Sequence, residues 1–116
     1  MTPILILAAG QSARMRGRDK LLEPVDGLPL LSAQARKSLA VTRDVFVALP
    51  APGHLRLAAL AGLAVTPLFI PDAASGMAAS LRGGVAMLPA FERVLILLAD
   101  LPEITTEDLR TVILAG

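Results

Sequence analysis

Three short segments of the chain carry the side chains that are best suited to chemistry. The first follows an apolar run at residues 4–7 and places three arginines and one lysine between positions 14 and 20. The second ends at Asp100, directly after another apolar run. The third, residues 71–84, reads PDAASGMAASLRGG and has Gly76 ahead of a stretch with helical spacing. Clustered cations and a separate carboxylate are the groups that a polyphosphate and its metal ion require.

The basic loop is expected to bind an anion through its backbone as well as its side chains. The small residues Ala8 and Ala9 let backbone amides approach a ligand, and Gly10 relaxes the local geometry. Arg14 and Lys20 supply the positive charge that phosphate groups attract. Neither G-x-G-x-x-G nor G-x-x-x-x-G-K-[ST] occurs in the loop. A solvated basic loop that binds nothing is therefore the alternative interpretation.

The other two segments add a metal ligand and polar contacts. Asp100 is expected at the carboxyl end of a strand, which is where open α/β sheets bind their ligands. A carboxylate there suits Mg²⁺, which binds one or two carboxylates together with substrate phosphates, although a turn or a helix cap is the alternative role. Gly76 at the start of a helix offers N–H groups to an anion or a base edge. Asp72 and Ser80 add polar contacts to that end of the helix.

The composition excludes several other classes of protein. The chain has 116 residues, of which 54% are hydrophobic and 18% charged, so we expect one folded domain. A net charge of +1, with three Phe and no Tyr or Trp, gives no support to nucleic-acid binding. Because the chain lacks cysteine, a signal peptide pattern and any apolar run of about 18 residues, we predict a cytoplasmic protein without membrane contact. His54 lacks a Cys or His partner, so we do not expect it to bind a metal ion. No G-x-S-x-G motif supports a serine hydrolase.

Four continuous apolar runs predict the strands that position these segments. Such runs are typical of parallel strands that are covered on both faces. The segments between them have helical spacing, so strand and helix alternate along the chain. This alternation predicts a three-layer α/β/α fold, with a parallel sheet and helices on both faces. The runs are residues 4–7, 45–49, 65–70 and 94–98.

The helical spacing also predicts which side chains face the core. Met87 is expected to fill core space, and Pro67 marks its strand as an edge or a strand end. Thr105 and Asp108 resemble a capping box at the start of a last helix. No further strand follows, so we expect the chain to be the first part of a larger domain. The predicted core positions are Leu30, Leu31, Ala35 and Leu39; Leu57, Leu60 and Ala61; Met77, Leu81, Val85 and Leu88; and Leu109, Val112 and Ile113.

Four motifs together resemble the MobA-like nucleotidyltransferases, and in particular the molybdenum cofactor cytidylyltransferases. The resemblance covers almost the whole chain, in the order of the family. It implies a Rossmann-like nucleotidyltransferase fold, with residues 1–116 as its N-terminal, nucleotide-binding part. The stretch GMAASL favours the cytidylyl branch, and so does Ala9, where the guanylyl branch usually has a glycine. The motifs are LAAGQSARMRGRDKLL, DGLPLL, SGMAASLRGGV and LLADLPEIT.

The resemblance implies a role for each candidate residue. The backbone around Ala8, Ala9 and Gly10 would hold the base and ribose, and Arg14 and Lys20 would neutralise the triphosphate. Asp100 would hold Mg²⁺. The residues that would help to select the base are Asp72, Gly76 and Ser80.

The implied reaction transfers a nucleoside monophosphate, with CTP favoured, to a molybdopterin-type acceptor and releases pyrophosphate. Contact with a molybdoenzyme or its chaperone is also implied. Arg16 lengthens the basic loop by one residue, a spacing that also occurs in the guanylyl branch. Transfer of a guanylyl group, transfer to a sugar phosphate, and a non-catalytic nucleotide-binding fragment are the alternatives.

Overall fold

The computed structural model describes residues 2–9, 14–15, 18–51, 55–70 and 76–115. A parallel sheet of four strands forms its centre. The predicted apolar runs are confirmed as strands, each within about one residue of its expected bounds. The strands are β1 (Ile4–Leu7), β6 (Val45–Leu49), β7 (Thr66–Phe69) and β8 (Leu95–Leu98).

The sheet has the strand order β7-β6-β1-β8. The chain adds β6 and then β7 on one side of β1, and it then returns to place β8 on the other side. This reversal is the topological switch point at which open α/β sheets form a crevice. Pro67 lies in β7, at the edge of the sheet, as its missing N–H predicted.

In the described ranges, two short hairpins and three helices connect the strands of the sheet, and a fourth helix follows the last strand. The first hairpin pairs β2 (Arg14–Met15) with β3 (Arg18–Asp19), and a 3-10 helix, Lys20–Leu22, follows it. The second pairs β4 (Pro24–Val25) with β5 (Leu28–Pro29) around a two-residue turn. The helices are α1 (Leu30–Leu39), α2 (Leu55–Ala58), α3 (Met77–Met87) and α4 (Thr106–Ala115).

The core has two layers, one on each face of the sheet. On one face, side chains of α1 and α4 pack against the strands, as Leu31 and Leu109 do against the cluster around Ile6. On the other face, α3 covers a smaller cluster around Leu5 and Ala48. The predicted α/β/α layering is therefore confirmed.

The contact between α3 and the sheet depends on Gly84. A methyl group at this position would lie 3.1 Å from a Leu5 methyl carbon and 3.8 Å from the Ala48 Cβ atom. The side of α3 that faces the sheet is therefore the one that carries Gly84. The prediction of which α3 side chains face the core is wrong in part. Val85 and Met87 are 44% and 45% exposed instead of buried.

Helix α2 is shorter than its spacing predicted, because Leu60 follows it in a turn. The capping box of α4 is confirmed. The Thr105 N–H donates to Asp108 Oδ2 and the Asp108 N–H donates to Thr105 Oγ1, each at 3.0 Å. Val112 in this helix is exposed, although its spacing predicted a core position. None of the helices in the described ranges has the length and hydropathy to cross a membrane.

Candidate functional site

The carboxyl edge of the sheet brings two of the predicted segments together. Strands β1 and β8 are neighbours, with Leu7 paired to Leu98, and the Ala99 N–H donates to the Leu7 carbonyl at 3.3 Å. The pairing thus continues by one hydrogen bond past both strands, so Ala99 lies beside the end of β1 and Asp100 directly follows it. Adjacent strands lie about 4.8 Å apart, so Asp100 emerges next to the turn after β1.

Ala8 and Ala9 are both buried, and they belong to the cores on opposite faces of the sheet. Their methyl groups are therefore structural, which leaves only the backbone to meet a ligand, and at Ala8 both backbone groups already have partners. The Ala8 N–H donates to the Ala48 carbonyl at 2.9 Å, and the Ala8 carbonyl accepts from Arg56. Gly10, which completes the predicted turn, lies outside the described residues.

Lys20 opens the 3-10 helix that follows the first hairpin. Asp19 caps this helix, because its Oδ1 atom accepts the Leu21 N–H at 3.1 Å, and Leu21 is buried in the core. The backbone of Lys20 is thus fixed on both sides, while its side chain is half-buried. Within the described ranges, its ammonium group has no hydrogen-bond or ion-pair partner and is available to an anion.

Arg14 lies in the hairpin that directly precedes Lys20. Its backbone pairs with that of Asp19, one residue before Lys20. The antiparallel pairing therefore brings the backbone of Arg14 close to that of Lys20. The orientation of the Arg14 side chain lies outside what the structure describes.

The loop that carries Asp100 is held by two polar side chains of α1. Gln34 Nε2 donates to the Leu101 carbonyl at 2.7 Å and more weakly to the Ala99 carbonyl at 3.4 Å. One turn further along the helix, Lys37 Nζ donates to the carbonyls of Pro102 and Ile104 at 3.0 and 2.7 Å. Lys37 thus provides partners for the carbonyls of Pro102 and Ile104, and the two side chains together fix the loop on the helix.

The Asp100 carboxylate fits a divalent cation that takes most of its ligands from elsewhere. It is half-buried and, among the residues the structure describes, it accepts no hydrogen bond and forms no ion pair. The same residues contain no group of three or more His, Cys, Asp or Glu side chains that could hold a metal by themselves. Mg²⁺ commonly binds through one or two carboxylates, with substrate phosphates and water as its other ligands.

The third predicted segment reaches the same edge of the sheet, because α3 follows the carboxyl end of β7. Gly76 forms the N-cap of α3 with φ 110°, a conformation that favours glycine, and it is exposed. Ser80 is 2% exposed, and no partner for its hydroxyl is found in the described part of the chain. Asp72 lies outside the described residues, and so does His54.

Three residues that the sequence analysis did not select also shape this region. They are Arg56, which lies 1% exposed in α2, and the α1 residues Gln34 and Lys37. Each donates to backbone carbonyls that are distant in the sequence. A charged or amide residue within a helical stretch is the local signal, and it does not indicate the residue's partner.

The architecture is that of nucleotidyltransferases. A nucleotidyl transferase from Methanothermobacter thermautotroptrophicus superposes with a TM-score of 0.85 at 23% identity, over 97% of this chain and 56% of that one. A protein of Mycobacterium tuberculosis H37Rv superposes with a TM-score of 0.77 at 27% identity, over 99% of this chain and 60% of that one. The latter has also been crystallised as a complex with manganese.

The chain belongs to the MobA-like NTP transferase domain family, which matches residues 4–116. The probable molybdenum cofactor guanylyltransferase of Nostoc sp. (strain PCC 7120 / SAG 25.82 / UTEX 2576) is 35% identical over 107 residues. The protein of the same name from Trichormus variabilis is 34% identical. The matches cover 91% of this chain and 49% of each relative, so the chain spans about half the length of these curated relatives. The resemblance seen in the sequence motifs is thereby confirmed at the level of the family.

Proposed function

We propose that this chain is the nucleotide-binding part of a molybdenum cofactor nucleotidyltransferase. One observation carries the proposal. Asp100 follows β8 next to the end of β1, and Lys20 follows Asp19, which Arg56 joins to the Ala8 carbonyl after β1. Neither the lysine nor the Asp100 side chain has a partner among the described residues. An ammonium and a carboxylate left unpaired at a topological switch point suit a triphosphate and its metal ion.

The proposed reaction joins a nucleoside monophosphate to a phosphorylated acceptor, with a molybdopterin as the favoured acceptor. A phosphate oxygen of the acceptor attacks the α-phosphorus, a new P–O bond forms, and the bond to the bridging oxygen breaks as pyrophosphate leaves. Catalysis of this kind depends mainly on positioning and on charge neutralisation. Lys20 and Arg14 would bind the phosphates and stabilise the negative charge that the departing pyrophosphate gains.

Asp100 would hold a divalent cation, for which Mg²⁺ is the leading candidate. When bound, that cation supplies positive charge to the phosphate oxygens. Gln34 and Lys37 would keep the carboxylate in place through the loop that they bind.

Two nucleotides, CTP and GTP, are candidates for the substrate. The motif GMAASL and Ala9 favour CTP, whereas the names of the two curated relatives favour GTP. We propose CTP as the preferred nucleotide, with Gly76, Ser80 and Asp72 near the base, and GTP as the second candidate. A cytoplasmic location stays a prediction from the sequence.

Calorimetric titration of this chain with CTP and with GTP, each with and without Mg²⁺, tests the proposal. We expect saturable binding of CTP that is tighter than that of GTP and that depends on Mg²⁺. Tighter binding of GTP would replace the cytidylyl proposal with the guanylyl one. Absence of binding to both nucleotides would contradict a nucleotide site in this chain.

Two variants locate the site. Lys20→Ala and Asp100→Ala should each weaken binding of the Mg²⁺–nucleotide by about tenfold or more, because charge-assisted contacts contribute about 1.5–3 kcal/mol. The matched controls are Arg36→Ala and Glu103→Ala, which remove exposed charges, the second of them in the Asp100 loop. Unchanged affinity in both site variants, with the fold intact, would contradict the assigned residues.

A further inference from the structure

The buried arginine of α2 has no role in the function proposed so far. Arg56 is 1% exposed, although arginine is rarely buried unless it is paired. Three of its N–H groups are accounted for by strong hydrogen bonds. Nε donates to Asp19 Oδ2 at 2.6 Å, one terminal nitrogen donates to Asp19 Oδ1 at 3.0 Å, and the other donates to the Ala8 carbonyl at 2.6 Å.

These contacts join two parts of the candidate site. The Ala8 carbonyl lies directly after β1, at the turn predicted to approach the nucleotide. Asp19 precedes Lys20, caps its 3-10 helix and pairs with the backbone of Arg14. A single planar guanidinium therefore sets the position of the hairpin β2–β3 relative to the end of β1.

We propose that Arg56 is a positioning residue for phosphate binding. The inference rests on the proposed function, since it assigns to Arg56 the task of holding Lys20 at the triphosphate. Arg56 does not reach the ligand itself, because its guanidinium is buried and bonded to Asp19 and Ala8. Its contribution is to fix the position of Lys20, which would contact the triphosphate.

The competing interpretation is a buried ion pair that only stabilises the fold. Buried pairs contribute little to stability compared with apolar residues of similar volume, so stability alone is a weak reason for an arginine here. The two interpretations differ in what they predict for Lys20. If Arg56 positions Lys20, removing Arg56 must reduce the contribution of Lys20 to binding.

A double-mutant cycle on nucleotide affinity separates them. Lys20→Ala is made in the wild-type chain and in Arg56→Met, and Kd for Mg²⁺–CTP and Mg²⁺–GTP is measured by calorimetry. We expect Lys20→Ala to cost about tenfold in the wild-type background and less than about twofold in Arg56→Met. Equal losses in the two backgrounds would overturn the positioning role.

Two further variants keep the test decisive. Arg56→Met leaves Asp19 without its bidentate partner and can unfold the chain, so the cycle is repeated in Arg56→Met/Asp19→Asn, in which both charges are removed and an oxygen remains to cap Leu21. Arg110→Met is the matched control, because it removes an arginine from an exposed ion pair with Glu107 and should leave affinity unchanged.

The outcomes also separate this inference from the proposed function. If the wild-type chain binds nucleotide and Lys20→Ala weakens binding by the same factor in every background, only the role of Arg56 is refuted. Absence of binding by the wild-type chain, or a Lys20→Ala variant that binds normally, refutes the nucleotide site and this inference with it.

Discussion

Replacing Lys37 with methionine should destabilise the chain and loosen the loop that carries Asp100. Methionine keeps most of the aliphatic stem but removes the ammonium that donates to the carbonyls of Pro102 and Ile104 at 3.0 and 2.7 Å. Hydrogen bonds to charged groups contribute about 1.5–3 kcal/mol, and Lys37 is half-buried, so water can partly replace it. We therefore expect a loss of about 2 kcal/mol in the free energy of unfolding for both bonds together. For a domain of this size, that loss lowers Tm by roughly 6–12 °C.

Urea and thermal unfolding of Lys37→Met, compared with Arg36→Met, measure this effect. Both residues lie in the last turn of α1, so each substitution removes the same favourable interaction with the helix dipole. Arg36 is exposed, and replacing it should change the free energy of unfolding by about 0.5 kcal/mol or less. Equal effects in the two variants would refute the reasoning that Lys37 fixes the loop.

The same variant connects stability with the proposed function. A loosened Asp100 loop should reduce the increase in nucleotide affinity that Mg²⁺ produces, because the carboxylate is no longer held in one place. Affinity measured without Mg²⁺ should stay close to that of the wild type. A loss of similar size with and without Mg²⁺ would show that Lys37 acts on the whole fold instead of on this loop.

Two other predictions concern single side chains. Ser80→Ala should raise the free energy of unfolding by about 1 kcal/mol in thermal or urea unfolding, because it removes a buried hydroxyl for which no partner is found among the described residues. The same variant should bind nucleotide more weakly by calorimetry, and unchanged affinity would contradict a binding role for that hydroxyl. The backbone N–H and then the side chain of Thr105 lower the pKa of Asp108 below its ordinary value of 3.8, so the charged carboxylate stabilises the folded state. The Tm of the wild type should exceed that of Asp108→Asn by a constant amount between pH 7 and about pH 5. This difference should shrink as the pH falls through 3.8 and then through the lowered pKa of Asp108. A difference that grows in acid would contradict this linkage.

Elements with a local signal could be predicted from the sequence. Strands such as Ile4–Leu7 and Leu95–Leu98 are short apolar runs, and their hydrophobicity and length indicate their type. The capping box of Thr105 and Asp108 involves residues only three positions apart, so its geometry is written in the spacing. The edge position of Pro67 follows from chemistry that the residue has in any context.

The remaining features depend on distant partners. The apolar spacing of α3 predicted that Val85 faces the core, but a glycine at 84 lets the helix approach Leu5 so closely that a different side faces the sheet. Gln34 and Lys37 bind backbone carbonyls, which every residue has, so no complementary side chain in the sequence indicates where they bind. Spacing identified Lys20 and Asp100 as candidates, but it did not reveal what holds them in place.

The strand order has a consequence for the way this chain folds. β1 pairs with β6, where Ile4 meets Val45, and with β8, where Ile4 meets Leu95. The second pairing closes a much longer loop of chain, and closing such loops costs entropy that only the completed contact repays. We therefore expect β1, β6 and β7 to associate before β8 adds to the sheet. When refolding is monitored by Mg²⁺-dependent nucleotide binding, the recovery of binding should lag behind the recovery of helical circular dichroism. The reason is that Asp100 reaches the site only when β8 joins the sheet.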